Sequence, residues 1–188
     1  SGTVTGLAVG GLPDGTVDDG TVASGIASSK LTGALPAISG ASLTGFTDAQ
    51  MPAGSVLQVK IVEDASLLLV STATYTDTNL SIDITPLSTS SKILAMWNVQ
   101  GNLSVVSGGW GTRLLRGSTA VFTSTVQYAQ YASNVASQRA SADYKHLDSP
   151  NTTSSITYKV QVGSYQGINC YFNDDNAQTQ LVIMEISG

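Results

Sequence analysis

His146 is the only histidine and Cys170 the only cysteine of this 188-residue chain. A Ser-His-Asp triad would have to use His146, in Tyr144-Lys-His-Leu-Asp. No Gly-x-Ser-x-Gly turn offers a matching nucleophile. His146 reads as a strand-end residue with an exposed or packed structural role. A zinc centre needs several His or Cys ligands, and the chain has one of each. Cys170 alternates with polar neighbours in Ile168-Asn-Cys-Tyr-Phe. It reads as a small buried hydrophobe, and a lone cysteine closes no intrachain disulfide.

Carboxylates are the next candidates. Past residue 50 they are Glu63, Asp64, Asp77, Asp83, Asp143, Asp148, Asp174, Asp175 and Glu185. A glycosidase needs two of them about 5–9 Å apart. Linear spacing does not say which meet, and so few acids weigh against that chemistry. Asp174-Asp175, ahead of Asn176, is either a solvated turn or part of a calcium set completed by carbonyl oxygens. Asp14-Gly and Asp18-Asp19-Gly lack calcium-loop spacing and read as turns.

Aromatic residues carry more promise for binding. Trp110 lies in Ser107-Gly-Gly-Trp-Gly, a loop-like setting. Tyr128, Tyr131, Tyr144 and Tyr165 fall near expected loops. Exposed rings stack on sugars and anchor interfaces. These five are therefore the candidate receptor or glycan contacts, the alternative being rings packed under loops or between subunits. Trp97, inside an apolar strand, reads as core or interface. The expectation is a protein that is not an enzyme and has no catalytic residue, cofactor or metal.

Composition agrees with a binding or structural role. Charged residues are 11% of the chain, with a net charge of −5. No Lys/Arg cluster exists to neutralise a phosphate backbone, so nucleic acid is not an expected partner. The longest apolar run, at 93–97, is far short of the roughly 20 residues that span a membrane, so no membrane insertion is expected.

Two grammars divide the chain. Residues 1–50 hold ten of the nineteen glycines and repeat short phrases: Asp14-Gly-Thr-Val, Asp19-Gly-Thr-Val, Leu31-Thr-Gly and Leu43-Thr-Gly. Apolar residues recur every few positions from Leu7 to Leu43, which a plain linker would not need. One such strand of repeats closes no core alone, but several copies around an axis would. The expectation is a repetitive fibre stalk over 1–50 that drives oligomerisation, with a flexible tether as the alternative.

Residues 51–188 read as an all-β head. Leu80, Ile82 and Ile84 alternate with polar residues, as do Ile156, Tyr158, Val160 and Val162, and Ile168, Cys170 and Phe172. Period-two alternation buries one face and wets the other. Further strands are expected over 56–63, 67–75, 92–99, 103–106, 111–116 and 120–127. Residues 128–142 are ambiguous between a helical stripe and a long excursion with a weak strand. Two strands, 93–97 and 181–184, are apolar on both faces. A sandwich strand of that kind needs a second cover, most simply a neighbouring subunit. The expected fold is an antiparallel, jelly-roll-like β-sandwich.

Several phrases together resemble fibre proteins of tailed bacteriophages, of marine and freshwater kinds. The repeat Leu31-Thr-Gly-Ala-Leu-Pro-Ala-Ile-Ser-Gly-Ala-Ser-Leu-Thr-Gly resembles their stalk punctuation. Met51-Pro-Ala-Gly-Ser-Val-Leu-Gln-Val, Ser90-Ser-Lys-Ile-Leu, Leu147-Asp-Ser-Pro-Asn-Thr-Thr, Thr157-Tyr-Lys-Val-Gln-Val and Leu181-Val-Ile-Met-Glu-Ile resemble segments of their C-terminal heads. The resemblance implies a homotrimeric virion fibre on tail, neck or capsid, with a head similar to the trimeric jelly rolls of the C1q and tumour-necrosis-factor kind. Its partners would be itself, a host-surface receptor such as a glycan, and other virion proteins. A chain opening Ser1-Gly2 rather than Met reads as a fragment, so the segment that meets those virion proteins would precede it. A capsid or neck decoration with a purely structural role is the alternative, and a glycan-cleaving enzyme a weaker one. The resemblance brings no set of functional residues with it.

Overall fold

The computed structural model describes residues 51–124, 129–132 and 137–188. The repeats of 1–50 lie outside them. Eleven strands follow in the described residues: β1 (Val56–Asp64), β2 (Leu68–Val70), β3 (Thr76–Ile84), β4 (Lys92–Leu103), β5 (Gly108–Arg116), β6 (Thr119–Thr123), β7 (Gln130–Ala132), β8 (Gln138–Asp148), β9 (Ile156–Ser164), β10 (Cys170–Phe172) and β11 (Thr179–Ile186). All pairings are antiparallel and form two sheets.

The first sheet is organised by β4. One edge of β4 pairs with β8 from Ile93–Asp148 through to Leu103–Gln138. Its other edge takes β11 over 92–98 and β10 over 101–103. Beyond them lie β1 and β2. The second sheet runs β3-β9-β5-β6, with β7 also on β5. The pairing is nested: β1 with β11, β3 with β9, β4 with β8, and β5 with β6 and β7. The head's strands thus pair as a nested antiparallel ribbon.

Alternation explains the core. Along β4 the residues Ile93, Ala95, Trp97, Val99, Gly101 and Leu103 are buried and their neighbours half-buried. Leu80, Ile82 and Ile84 of β3 face them, as do Tyr158, Val160 and Val162 of β9. Cys170 and Phe172 are buried as their alternation implies. The two sheets touch through aromatic rings. Trp97 meets Phe122 edge-on at 5.2 Å, and Trp110 meets Phe172 edge-on at 5.5 Å. The Trp97 indole N–H donates to Thr112 Oγ1 (3.2 Å), whose hydroxyl donates to the Gln161 carbonyl (3.0 Å). These two bonds satisfy the polar groups that cross between the sheets here, as a low-dielectric core requires.

Four sequence expectations change. The strand expected over 67–75 is confined to Leu68–Val70. The strand expected to end at Val99 runs on to Leu103, so the separate strand at 103–106 does not form. Gly101 permits this, because the Trp110 indole occupies the space of its missing side chain. A Cβ at residue 101 would lie 2.5 Å from Trp110 Nε1. Residues 108–110 join β5 instead of forming a loop. The described parts of the 128–142 excursion are strand β7 and the start of β8; no described residue there is helical.

One end of the sandwich is clamped by charge. Asp148, at the end of β8, is buried and accepts two 2.9 Å bonds from Arg116 of β5. It also accepts a 2.6 Å bond from the phenol of Tyr158 on β9. The clamp ties the first sheet to the second. Burial, then the bond to Asp148, hold the Tyr158 proton well above the ordinary phenol value of 10.0.

Gly101→Ala is expected to cost about 1–3 kcal/mol, because a rigid indole and a strand backbone must part. Urea unfolding should show a lower midpoint at unchanged slope; an unchanged midpoint would contradict the interlock. Asp148→Ala should cost about 2–3 kcal/mol, since it strands a buried phenol and a partly exposed guanidinium. The Tyr158 shift fixes a sign with pH. The native state keeps a proton that the unfolded chain releases above about pH 10, so this stabilisation is full below that pH and is lost as pH rises. Tyr158→Phe should flatten the alkaline fall in stability between roughly pH 9 and pH 11.

Candidate functional site

The aromatic candidates separate into three groups. Trp110 corrects the sequence reading: it is 0% exposed, on β5, with its N–H donated to Gln130 Oε1 at 2.6 Å. A ring enclosed on all sides offers no face to a sugar. Tyr144 also turns inward, on β8, stacking on Trp97 at 5.5 Å and 21°, and burial raises its phenol. Tyr128 lies outside the described residues. Tyr131 and Tyr165 do come together, edge to face at 6.0 Å, with Tyr131 47% exposed. Tyr131 sits on β7 and Tyr165 opens a short 3₁₀ turn after β9. Loops at 71–75, 104–107 and 165–169 gather at this end: Ser104 N–H reaches the Asn169 carbonyl, and Ser164 N–H the Thr72 carbonyl.

The chemistry-bearing residues are engaged structurally. His146 points inward beside Phe122, ring centres 6.1 Å apart. Burial pushes the Cys170 thiol up to about 12, leaving almost no thiolate at neutral pH. Asp77 accepts from Lys159 and Gln161, which hold its carboxyl below the usual range. Asp64 caps the β1–β2 link through Ser66 N–H and binds Asn79 and Asn173. Glu185 is wholly buried, and the bonds it accepts come from Gln58 Nε2 and Leu87 N–H (2.5 and 2.7 Å). Asp174 and Asp175 share Arg139, at 3.1 and 2.5 Å. The guanidinium thus engages one oxygen of each carboxylate. Among the described residues no three His, Cys, Asp or Glu side chains group as a metal site.

The surface with most to offer is the outer face of the first sheet, which the strand register lays out in rows. Val59, Met184, Leu94 and Leu147 form one, and Ile61, Val182, Met96 and Lys145 the next. Val56 and Ile186 add to the same end. Val59 is 48%, Ile61 58% and Leu147 58% exposed. Thus the two strands expected to be apolar on both faces lie side by side and pool their outward residues. Toward the loop end the rows turn polar: Glu63, Gln180, Asn98 and Asp143, then Gln100 and Ser141, then Tyr171, Asn102 and Arg139. Two hollows mark this polar half, a shallow one of about 650 Å³ beside Met96, Asn98, Asp143 and Gln180, and one of about 210 Å³ beside Asn102 and Arg139.

No protein-family model matches the chain, and no curated protein does. Among solved structures it is similar to a chain of infectious bursal disease virus, Gx strain, at 14% identity and a TM-score of 0.45, covering 70% of this chain and 32% of that one. A VP2 subviral particle of the same virus gives 10%, 0.45, 71% and 34%. Dimeric latent PorU of Porphyromonas gingivalis gives 9%, 0.32, 72% and 14%. The chain spans about a third of the length of the viral chains. Likeness of this degree transfers neither fold nor function.

Arg139, Asn102 and Tyr171 carry no sequence signal of their own. Arg139 falls in the ambiguous excursion, and the other two alternate with buried neighbours like any strand residue. The register alone assembles them.

The Cys170 thiol is expected to ignore Ellman's reagent in the native protein and to react fully in denaturant. Rapid native labelling would contradict its enclosure.

Proposed function

We propose that this chain is a non-catalytic structural subunit of a virion fibre. It assembles as a homotrimer and presents the loop end of its head to the host surface. The observation that carries the reading is the apolar outer face formed by Val59, Ile61, Leu94, Met96, Leu147, Val182 and Met184. A monomer rarely leaves such a contiguous patch wet, and a second copy of the chain is its simplest cover.

Other features agree. The nested pairing of two antiparallel sheets fits jelly-roll winding, the kind of head that the sequence resemblance implies. The chain reaches β1 at the apolar end, where Gly54 and Ser55 bond to Ser187. The tyrosine pair and the gathered loops lie at the opposite end. Self-association near the point where residues 1–50 join would leave that far end clear for attachment. Weak contacts repeated three times would then act together. The scattered, structurally engaged acids favour this reading over glycan cleavage.

Light scattering across a dilution series tests the assembly. A stable mass three times the 19.3 kDa chain is expected; a monomer at every concentration would overturn the reading. Two neighbouring substitutions separate interface from core. Met184→Asp, on the outward row, should leave a folded chain whose self-association is weakened by about a hundredfold or more, ~3 kcal/mol. Ile183→Asp, at 0% exposure, should instead prevent folding. Attachment is tested by adding excess free chain to virions that carry it: adsorption should slow, and unchanged adsorption would remove the receptor role.

A further inference from the structure

The 210 Å³ hollow at the polar end of the first sheet is bounded by Gln100, Asn102, Arg139, Ser141, Tyr171 and Asp174. We propose that it is a binding site for one ring of a neutral saccharide. The proposal supplies a ligand class for the attachment function and rests on that reading for its setting.

The side chains match the chemistry of a polyol. Amides, a hydroxyl, a guanidinium and a carboxylate converge on a small volume, with an aromatic ring at one side. Vicinal hydroxyls both donate and accept, and planar side chains of this kind serve both roles. The half-buried Tyr171 ring offers an apolar face, continued by its cross-strand neighbour Leu69, which is exposed. At about 210 Å³ the hollow is on the scale of a single sugar ring rather than of a folded peptide.

The polar groups are already aimed. Asn102 donates to Asp174 Oδ2 at 2.7 Å and Arg139 to the same oxygen at 3.1 Å. Gln100 is held by the Gln178 carbonyl at 3.1 Å. The turn that carries Asp174 is fixed in a costly conformation, with Asn173, Asp175 and Asn176 all at positive φ (56°, 57° and 59°). The Asn102 side-chain oxygen is buried and has no hydrogen-bond partner. That oxygen is enclosed, so contact with a ligand falls to Gln100, Arg139, Ser141 and Tyr171.

Charge selects against anionic ligands. Arg139 contributes +1 and its two partners Asp174 and Asp175 −2, so the cluster carries −1. A phosphate or sialic acid would meet net repulsion and a guanidinium already engaged, whereas a neutral sugar meets neither.

The test is saturation-transfer NMR on the full chain, with glucose, galactose, mannose and N-acetylglucosamine as separate probes. Transfer to at least one is expected. It should weaken by about tenfold or more in Tyr171→Leu and Arg139→Gln, and stay unchanged in Tyr165→Ser. Ser141→Tyr, at an exposed strand position, fills the hollow without touching the ion pairs and should abolish transfer even if Arg139→Gln fails to fold. No transfer from any probe, or transfer indifferent to Tyr171→Leu and Ser141→Tyr, overturns the site. A trimer that blocks adsorption but shows no transfer sinks the saccharide site and leaves the fibre reading. A monomer that binds sugar in the hollow does the reverse.

Discussion

The Trp110 indole occupies the place where residue 101 would carry a side chain, and much of the head follows from that substitution of ring for Cβ. With glycine there, β4 stays straight and paired for twelve residues. A continuous β4 supports β8 on one edge and both β11 and β10 on the other. Those pairings set every row on the outer face. A break at Gly101 would detach β10 from the sheet, and with it the turn that holds Asp174 against Asn102. One close approach in the core thereby positions a polar hollow on the surface.

Alternation made the architecture readable and also set its limit. Strands with one wet face, such as β3 and β9, announce themselves in the sequence, because each polar residue reports an outward position. The doubly apolar β4 and β11 were equally visible, and their need for an external cover followed from the same logic. What the pattern could not convey was adjacency. That Leu94, Val182, Ile61 and Leu147 belong to one surface depends on register, which is decided between strands far apart in the chain. The same is true of Arg139: its two carboxylate partners lie 35 and 36 positions away and reach it only through the β4–β8 and β4–β10 pairings.

The Trp110 expectation failed for a physical reason that reaches beyond this residue. Glycine flanking an aromatic ring has two causes: a turn that needs φ freedom, or a backbone that another group must approach closely. Sequence does not distinguish them. Gly108, two residues before Trp110, is of the second kind, since an added side chain would strike Ile168, and so is Gly101 on β4, where it would strike Trp110 itself. The tyrosines at 131 and 165 were better candidates for the opposite reason. They stand at strand and turn ends, where a ring has no second sheet above it.

With so few charges, most of the head's acids are spent on fixing its shape. Asp148 joins the sheets, Glu185 anchors the β3–β4 link to β1 and β11, and Asp64 closes the β1–β2 turn. The Asp148 and Glu185 assignments are the costliest to disturb, because these two acids satisfy buried or half-buried donors. The Arg139 cluster differs. It closes no gap between sheets and clamps no strand to its neighbour, since β4 and β8 are already paired along their length. Its turn is held on the buried side by Asn173, which donates to Asp64 and to the Ser66 carbonyl, while Asp174 and Asp175 meet Arg139 at the surface, where an ion pair adds little. The buried side of the turn thus serves the fold, and its exposed side is the part that would hold a donor-and-acceptor set open for a ligand.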